Sequence, residues 1–276
     1  MMKRSKKKQS AGIEYSGLAG MSASCRDAVM RLLQFGDRIE RARILSCSKV
    51  HCLLLTVNPG SLIAVRSGFA SGYGGEGPRT FSFVLRLLEA HGTEIEEYEV
   101  DQELIDRVDM SSLTTADLEK LEGARPVRPT RWYDYVSDEH WEELGSLWKH
   151  FPPVVPFAVI DSRITDLAMR LLEQPDESLL TGYRRLEDLV RKRTGIDEHG
   201  GRLFSQAFQA DKAKLTWEGI GASERNGRAS LFTAAYMAFR NPRAHRELRD
   251  CEESYVTEFL LLNHLYVLER QASAAD

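Results

Sequence analysis

An arginine and a histidine near the end of the sequence have the types and spacing of a site for phosphate chemistry. Arg240 and His245 lie in the segment RNPRAH, with four residues between them. A histidine that titrates near pH ~6.5 can accept or donate a proton, whereas an arginine supplies fixed charge and forked hydrogen bonds. Asn241 could orient the histidine or the phosphate, or could cap the helix that ends there. The segment is therefore a candidate for acid–base catalysis beside a bound anion.

Spacing alone does not identify this site, because Arg86 and His91 have the same spacing. In an uninterrupted helix, two residues five positions apart lie ~140° apart around the axis. We expect Arg86 and His91 to diverge in this way. Pro242 predicts a different outcome for the second pair, because proline lacks an amide hydrogen and disfavours a helical conformation in the preceding residue. The helix should break or kink there and return His245 to the side of Arg240.

The surroundings of the pair are strongly basic, although the whole chain has a formal net charge of -4. Residues 225–249 contain a single acid, Glu247, and these arginines: Arg225, Arg228, Arg240, Arg243, Arg246 and Arg249. A local cluster of this kind predicts a phosphate-binding field in an otherwise acidic protein.

Helices are predicted to position these residues. From residue 154 onward, apolar residues recur at helical spacing, and the segments are joined by short links. One stripe consists of Ile164, Leu167, Ala168 and Leu171, and another of Tyr183, Leu186, Leu189 and Val190. On the second segment, one face carries charged residues that form a solvated ion-pair stripe or, through Glu187 or Asp188, a support for the candidate arginine; they are Arg184, Glu187, Asp188 and Arg191. The pattern predicts an all-α helical bundle.

The C-terminal third resembles HEPN-superfamily ribonuclease domains, and is most similar to the Ymh-like bacterial branch. The resemblance covers residues 178–270 and is carried by YRRLEDLVRKRTGID, GGRLFSQAF and AYMAFRNPRAHRE. It implies an endoribonuclease that needs neither a metal ion nor a cofactor and that attacks through the 2′-hydroxyl of RNA. Arg240, His245 and Asn241 would be catalytic. The arginines that would bind RNA are Arg228, Arg243, Arg246 and Arg249, with possible support from Glu187, Asp188 and Arg191.

The resemblance also implies an assembly and a biological role. HEPN ribonucleases usually act as homodimers or higher homo-oligomers in which two Arg and His pairs line one cleft. Such a dimer would supply both an acid and a base from one histidine per chain. A toxin or anti-phage abortive-infection effector is the implied role, with the N-terminal region sensing a trigger molecule or a regulatory protein. The alternatives are a non-catalytic module that binds RNA or protein, and a nucleotide-sensing regulator.

The N-terminal region is predicted to be an α+β module. Residues 50–57 and 62–66 flank the turn Asn58-Pro59-Gly60 as a hairpin, a helix begins near Pro78 and stops at Gly92, and residues 94–100 alternate like a strand. The predicted organisation is a disordered basic tail at 1–12, an α+β sensor or regulatory domain at 13–122, a linker with a bridging helix at 123–153, and the HEPN-like helical domain at 154–276.

A glycine-rich loop precedes the predicted helix of the α+β module. It fits the spacing GxGxxG and is followed by a basic residue; the residues concerned are Gly72, Gly74, Gly75, Gly77 and Arg79. A dinucleotide fingerprint would follow a first parallel strand, whereas this loop follows the second arm of a hairpin. The default interpretation is a structural turn. The alternative is a loop whose amides, with Arg79, hold a phosphate or a nucleotide.

Composition excludes several other classes. The four cysteines form no CxxC pair and have no histidine partners at zinc-finger spacing, so neither a disulfide framework nor a structural zinc site is expected. No Asp, Glu and His cluster resembles a two-metal nuclease. A signal peptide and a membrane-spanning segment are also not expected. We therefore predict a cytoplasmic protein with no membrane partner.

Overall fold

The computed structural model describes residues 9–58, 60–136, 150–209, 213–245 and 251–275, and only the backbone of Ala244 and His245. The chain divides into two compact units, Met1–Phe151 and Pro152–Asp276, close to the predicted start of the helical region. Within the predicted linker and bridging helix at 123–153, residues 137–149 lie outside the described residues. Ala11 donates its amide hydrogen to the carbonyl of Leu113 at 2.8 Å, so the predicted disordered tail does not extend to this residue.

The first unit is built from short helices and a mixed sheet. Its strands are β1 (Glu14–Ser16), β2 (Ile39–Cys47), β3 (Val50–Val57), β4 (Ser61–Ala70) and β5 (Glu94–Glu99), and its α-helices are α1 (Ser22–Gln34), α2 (Glu76–Ala90), α3 (Gln102–Asp109) and α4 (Thr115–Glu122).

The sheet has the strand order β1-β4-β3-β2-β5. Strands β2, β3 and β4 form an antiparallel meander, in which Leu45 pairs with Cys52 and Leu54 pairs with Ala64. The short strand β1 is parallel to β4, and β5 is parallel to β2 at the other edge. The predicted hairpin is confirmed, since β3 and β4 are its two arms. Gly92, with φ +72°, ends the turn after α2 as predicted.

Successive side chains of the central strands point to opposite faces of the sheet, and apolar residues are buried on both faces. On one face, Ile44 and Leu53 pack with apolar residues of α1 and α2. On the other face, Leu45 and Leu54 pack with apolar residues of α3 and α4. The sequence analysis did not predict β2, whose alternation includes the buried Arg43. This guanidinium is paired with Glu122 at 2.6 Å.

The second unit is predominantly helical. Its α-helices are α5 (Thr165–Arg170), α6 (Pro175–Thr194), α7 (Gly200–Phe204), α8 (Ala222–Ala235), α9 (Asn241–His245) and α10 (Glu252–Gln271). Two π-helical turns, Ser205–Gln209 and Tyr236–Arg240, follow α7 and α8. A two-stranded antiparallel ladder of β6 (Leu215–Thr216) and β7 (Ser273–Ala274) was not predicted.

One apolar core holds the helices of this unit together. Tyr183 of α6, Phe204 of α7, Phe232 of α8 and Phe259 of α10 are all fully buried in it. The predicted stripes face this core, with Leu189 only partly buried. The mixed α/β region followed by a helical region is thus confirmed. Within the described ranges, no helix combines the length and the apolar character needed to cross a membrane.

Candidate functional site

The motif segment remains helical instead of breaking at Pro242. Asn241 has the helical angles φ −66° and ψ −46°, and its amide bonds to the carbonyl of Tyr236, five residues earlier. This π-helical turn inserts an extra residue into the helical ladder. The wider turn accommodates the proline ring where a regular turn would press it against a carbonyl oxygen. The predicted break at Asn241 is therefore wrong, and the irregularity is the π-helical turn that directly precedes this residue.

An open groove lies beside this turn, with a volume of about 520 Å³. Its wall is formed by α7, α8, the π turn and the start of α9. The polar residues that line it are His199, Arg202, Ser205, Thr233, Arg240 and Asn241. Two arginines and no carboxylate occur among these lining residues, so the groove wall suits an anion. Arg240 and Asn241, both predicted as catalytic, are thus brought to one surface.

Helix α6 places a carboxylate between two guanidinium groups. Glu187 is buried, and its Oε1 is 3.8 Å from Nε of Arg240, which is within ion-pair range but too long for a hydrogen bond. Its Oε2 is 3.7 Å from Nη2 of Arg191. Arg191 also contacts Asp188 at 2.6 Å. The three residues predicted as possible support therefore form one charged cluster, in which Glu187 contacts Arg240.

Several buried atoms of this cluster have no hydrogen-bond partner in the described part of the chain. They are Oε1 of Glu187, Nε of Arg191, Nε of Arg240 and Oγ1 of Thr233. Buried polar atoms in folded proteins are nearly always paired, so unpaired ones call for an explanation. Two of these atoms belong to Arg240 and Thr233, which also line the groove.

Tyr236 connects the π turn to α6. Its hydroxyl donates a hydrogen bond to the backbone carbonyl of Tyr183, and the two rings pack edge to face with centroids 5.2 Å apart. Burial and then the neighbouring Glu187 carboxylate raise the pKa of Tyr236, so the phenol stays protonated. This contact fixes the turn that carries Arg240 against the helix that carries Glu187.

Arg243 does not take the RNA-binding role predicted for it. Its side chain is buried, where Nε and Nη2 donate to the carboxylate of Glu258 and Nη1 donates to Asp176. Burial alone would lower the pKa of Arg243, but the hydrogen bonds that it donates to Glu258 and Asp176 raise it. The guanidinium is therefore already occupied by two carboxylates. The sequence did not reveal this, because both acids lie far from Arg243 in the chain and only the fold brings them together.

Of the other three arginines predicted to bind RNA, the structure describes Arg228. Arg228 is partly exposed and bonds to Glu224 at 2.7 Å on the surface of α8. Arg246 and Arg249 lie outside the described residues, as does the side chain of His245. The pairing of Arg240 with His245 therefore stays a prediction.

His199, to which the sequence analysis gave no role, lines the groove immediately before α7. Its Nδ1 is 2.9 Å from Nη2 of Arg191. Gly195 ends α6 with φ +69°, and the chain then turns so that His199 meets Arg191. The sequence signal for this role was a histidine placed just before Gly200-Gly201 and the start of a helix. Its partner Arg191 could not be inferred from spacing.

The glycine-rich loop of the first unit joins β4 to α2. A Cβ on Gly77 would lie 2.9 Å from the hydroxyl of Tyr73, and one on Gly75 would lie 3.0 Å from the same ring. A side chain at either position would crowd Tyr73, whereas Gly74 meets no close neighbour. Gly72 has φ +77°, a backbone conformation that favours glycine. Arg79 is exposed on α2. These contacts favour the structural interpretation of the loop.

Within the described ranges, the structure brings together no group of three or more His, Cys, Asp or Glu side chains that could hold a metal ion.

Comparison with known proteins places one family on the helical unit. Residues 160–268 match a family described as a protein of unknown function, Hypoth_ymh. The matched range contains Glu187, His199 and Arg240. This finding agrees with the resemblance to Ymh-like proteins at the level of the C-terminal region.

A comparison with curated proteins found no match to the chain. A chain of the solved respiratory complex I from Thermus thermophilus is similar at 19% identity, covering 45% of this chain and 99% of that chain with a TM-score of 0.35.

Proposed function

We propose that the helical unit is a HEPN-like endoribonuclease that cleaves RNA without a metal ion. The observation that carries the proposal is the groove in which Arg240 and Asn241 meet Arg202 and His199, with Glu187 in contact with Arg240. The lining offers several hydrogen-bond donors and positive charge to an anion. An RNA phosphodiester presents oxygen acceptors and negative charge, so the two are complementary.

In the proposed reaction, the 2′-oxygen of a nucleotide attacks its own phosphorus and the bond from phosphorus to the 5′-oxygen breaks. The 2′-hydroxyl loses a proton to a base, and the departing 5′-oxygen receives one from an acid. Arg240 stabilises the charge that accumulates on the phosphate oxygens, and Asn241 orients the phosphate. His245 transfers protons, and a homodimer would place two such histidines at one cleft. The products are a 2′,3′-cyclic phosphate and a 5′-hydroxyl.

The direct test is cleavage of RNA in the presence of excess chelator. The wild type should release fragments with cyclic phosphate ends, and Arg240→Ala and His245→Ala should abolish the release. The matched controls are Arg170→Ala and His264→Ala, which remove the same residue types from exposed positions of α5 and α10 outside the groove. Cleavage that survives His245→Ala, or that stops in chelator, contradicts the proposal.

The cellular role that we propose is that of a toxin or anti-phage effector, with the N-terminal unit sensing a trigger molecule or a regulatory protein. Expression of the wild type should then arrest growth, while folded Arg240→Ala and His245→Ala variants should not. A module that only binds RNA or protein would remain toxic after His245→Ala, provided that Arg240 is intact. This outcome separates an enzyme from a binding module.

A further inference from the structure

His199 is the groove residue whose chemistry the structure defines most closely. The contact between its Nδ1 and Nη2 of Arg191 is 2.9 Å long. A guanidinium can only donate hydrogen bonds, so Nδ1 of His199 must be the acceptor in this contact. The ring in this geometry is therefore neutral, and its one N–H hydrogen is on Nε2.

This tautomer limits what His199 can do. Nε2 has no lone pair available and cannot accept a proton from a 2′-hydroxyl. A protonated ring would place a second N–H at Nδ1, directly against the N–H of Arg191. The contact with Arg191 thus favours a histidine that donates a hydrogen bond through Nε2.

The neighbours of His199 determine which ligand would accept that bond. His199 lines the same groove as Arg202, Arg240 and Asn241, and the buried Nε of Arg240 has no hydrogen-bond partner in the described part of the chain. The two guanidinium groups on this wall are positively charged and can only donate hydrogen bonds, which suits an anionic ligand whose oxygens accept them. A phosphodiester oxygen fits that description.

We propose that His199 binds a non-bridging oxygen of the scissile RNA phosphate as a neutral hydrogen-bond donor, held in that tautomer by Arg191. The proposal rests on the ribonuclease function proposed above and assigns this residue to binding and charge stabilisation instead of proton transfer. Proton transfer remains with His245.

Replacement by two different side chains tests the role. Alanine at position 199 removes the donor, whereas glutamine places an amide N–H₂ at about the reach of Nε2 and cannot titrate. We expect His199→Ala to lower the cleavage rate by about 10²-fold, the effect of losing one donor to a reacting oxyanion. We expect His199→Gln to retain most of the rate. The pair His264→Ala and His264→Gln on exposed α10 is the matched control and should leave the rate unchanged.

Binding of RNA that cannot be cleaved separates this proposal from the proposed function. RNA methylated at its 2′-oxygens has no attacking hydroxyl but retains its phosphates. Its affinity should fall with His199→Ala and be restored by His199→Gln, whether or not the wild type cuts ordinary RNA. Equal loss of cleavage in both variants would show that His199 transfers protons, and unchanged cleavage and binding in His199→Ala would show that it does not touch the phosphate. Either result overturns the proposal.

Discussion

At the scale of single residues, the candidate site depends on a carboxylate that is shared by two arginines. Glu187 lies 3.8 Å from Arg240 and 3.7 Å from Arg191, and it forms no hydrogen bond to either guanidinium. A loose contact of this kind orients the arginines by charge without occupying their N–H groups. Arg240 therefore keeps its donors for a ligand while its position stays fixed.

The first prediction concerns this carboxylate. In Glu187→Gln the side chain keeps its shape but loses its charge, so Arg240 and Arg191 repel each other without compensation. Because displacement of a catalytic group by about 1 Å can cost ~10²-fold in rate, we expect a loss of that order. The measurement is the rate of RNA cleavage, with circular dichroism to establish folding. Glu177→Gln, which removes an exposed charge from the first turn of the same helix, should have little effect; equal losses in the two variants would contradict the role of Glu187.

Sequence reasoning identified some of these residues and missed others for a physical reason. Arg240 and Glu187 lie on amphipathic segments whose facing surfaces can be inferred from helical spacing. Arg243 was assigned to RNA because its partners, Glu258 and Asp176, are 15 and 67 residues away. The sequence analysis gave His199 no role, because only the turn at Gly195 brings it to its partner Arg191. Long-range charge pairing leaves no local pattern.

At the scale of elements, the short helix α9 is held by a buried ion pair. Arg243 joins this helix to Glu258 of α10 and to Asp176 in the first turn of α6, and its guanidinium lies 5.4 Å from the ring of Tyr255. The π turn that carries Arg240 directly precedes α9. The same buried contact therefore sets the position of the site and stabilises the bundle.

The second prediction follows from this contact. Arg243→Met should destabilise the helical unit by about 3–5 kcal/mol, because removing one partner leaves a buried carboxylate without its counter-charge. The free energy of unfolding in urea measures the effect. Arg228→Met, which removes a surface ion pair, should cost no more than about 1 kcal/mol. If Arg243→Met instead unfolded like the wild type and only weakened RNA binding, the original assignment to RNA would be restored.

Elements with strong local signals were predictable, and those that depend on tertiary contacts were not. The turn Asn58-Pro59-Gly60 and the stop at Gly92 specified the hairpin and the end of α2. Strand β2 lacked such a signal, because Arg41 and Arg43 interrupt its apolar residues. These arginines face Glu94 and Glu122, which the sheet supplies from elsewhere in the chain. The π turn was also missed, because proline was expected to end the helix.

At the scale of the whole molecule, the two units should respond differently to acid. In the first unit, the buried His51 bonds through Nδ1 to Ser46 and through Nε2 to Ser71, both at 2.8 Å. Burial lowers the pKa of His51 to about 4. Glu97, which accepts hydrogen bonds from Ser46, Arg131 and Tyr135, has a pKa that these bonds lower even though burial opposes them.

The third prediction is a loss of stability in the first unit between pH about 6.5 and about 4. In this range the unfolded chain takes up a proton at His51 and the folded unit does not, so the free energy of unfolding falls as pH falls. A difference of that size in pKa corresponds to about 3 kcal/mol. Below this range Glu97 adds a loss of the same sign, because its lowered pKa favours the ionised, folded form.

Hydrogen exchange along a urea series can follow the two units separately. Amides of β3 should report the acid-dependent loss, and His51→Gln should remove the part above pH about 4.5. Amides of α10, in the other unit, provide the internal reference. An unchanged pH profile in His51→Gln would contradict the assignment to this histidine.

Strand β5 also affects whether copies of the protein can associate through their sheets. It is the last strand of the sheet, four of its six residues are glutamates, and its carbonyl at Glu97 accepts the amide of Val127 from the chain that follows α4. An open strand border normally invites neighbouring copies to add strands, a route to aggregation. The backbone segment laid alongside makes this border a poor template, so growth of the sheet into fibres is discouraged on this side.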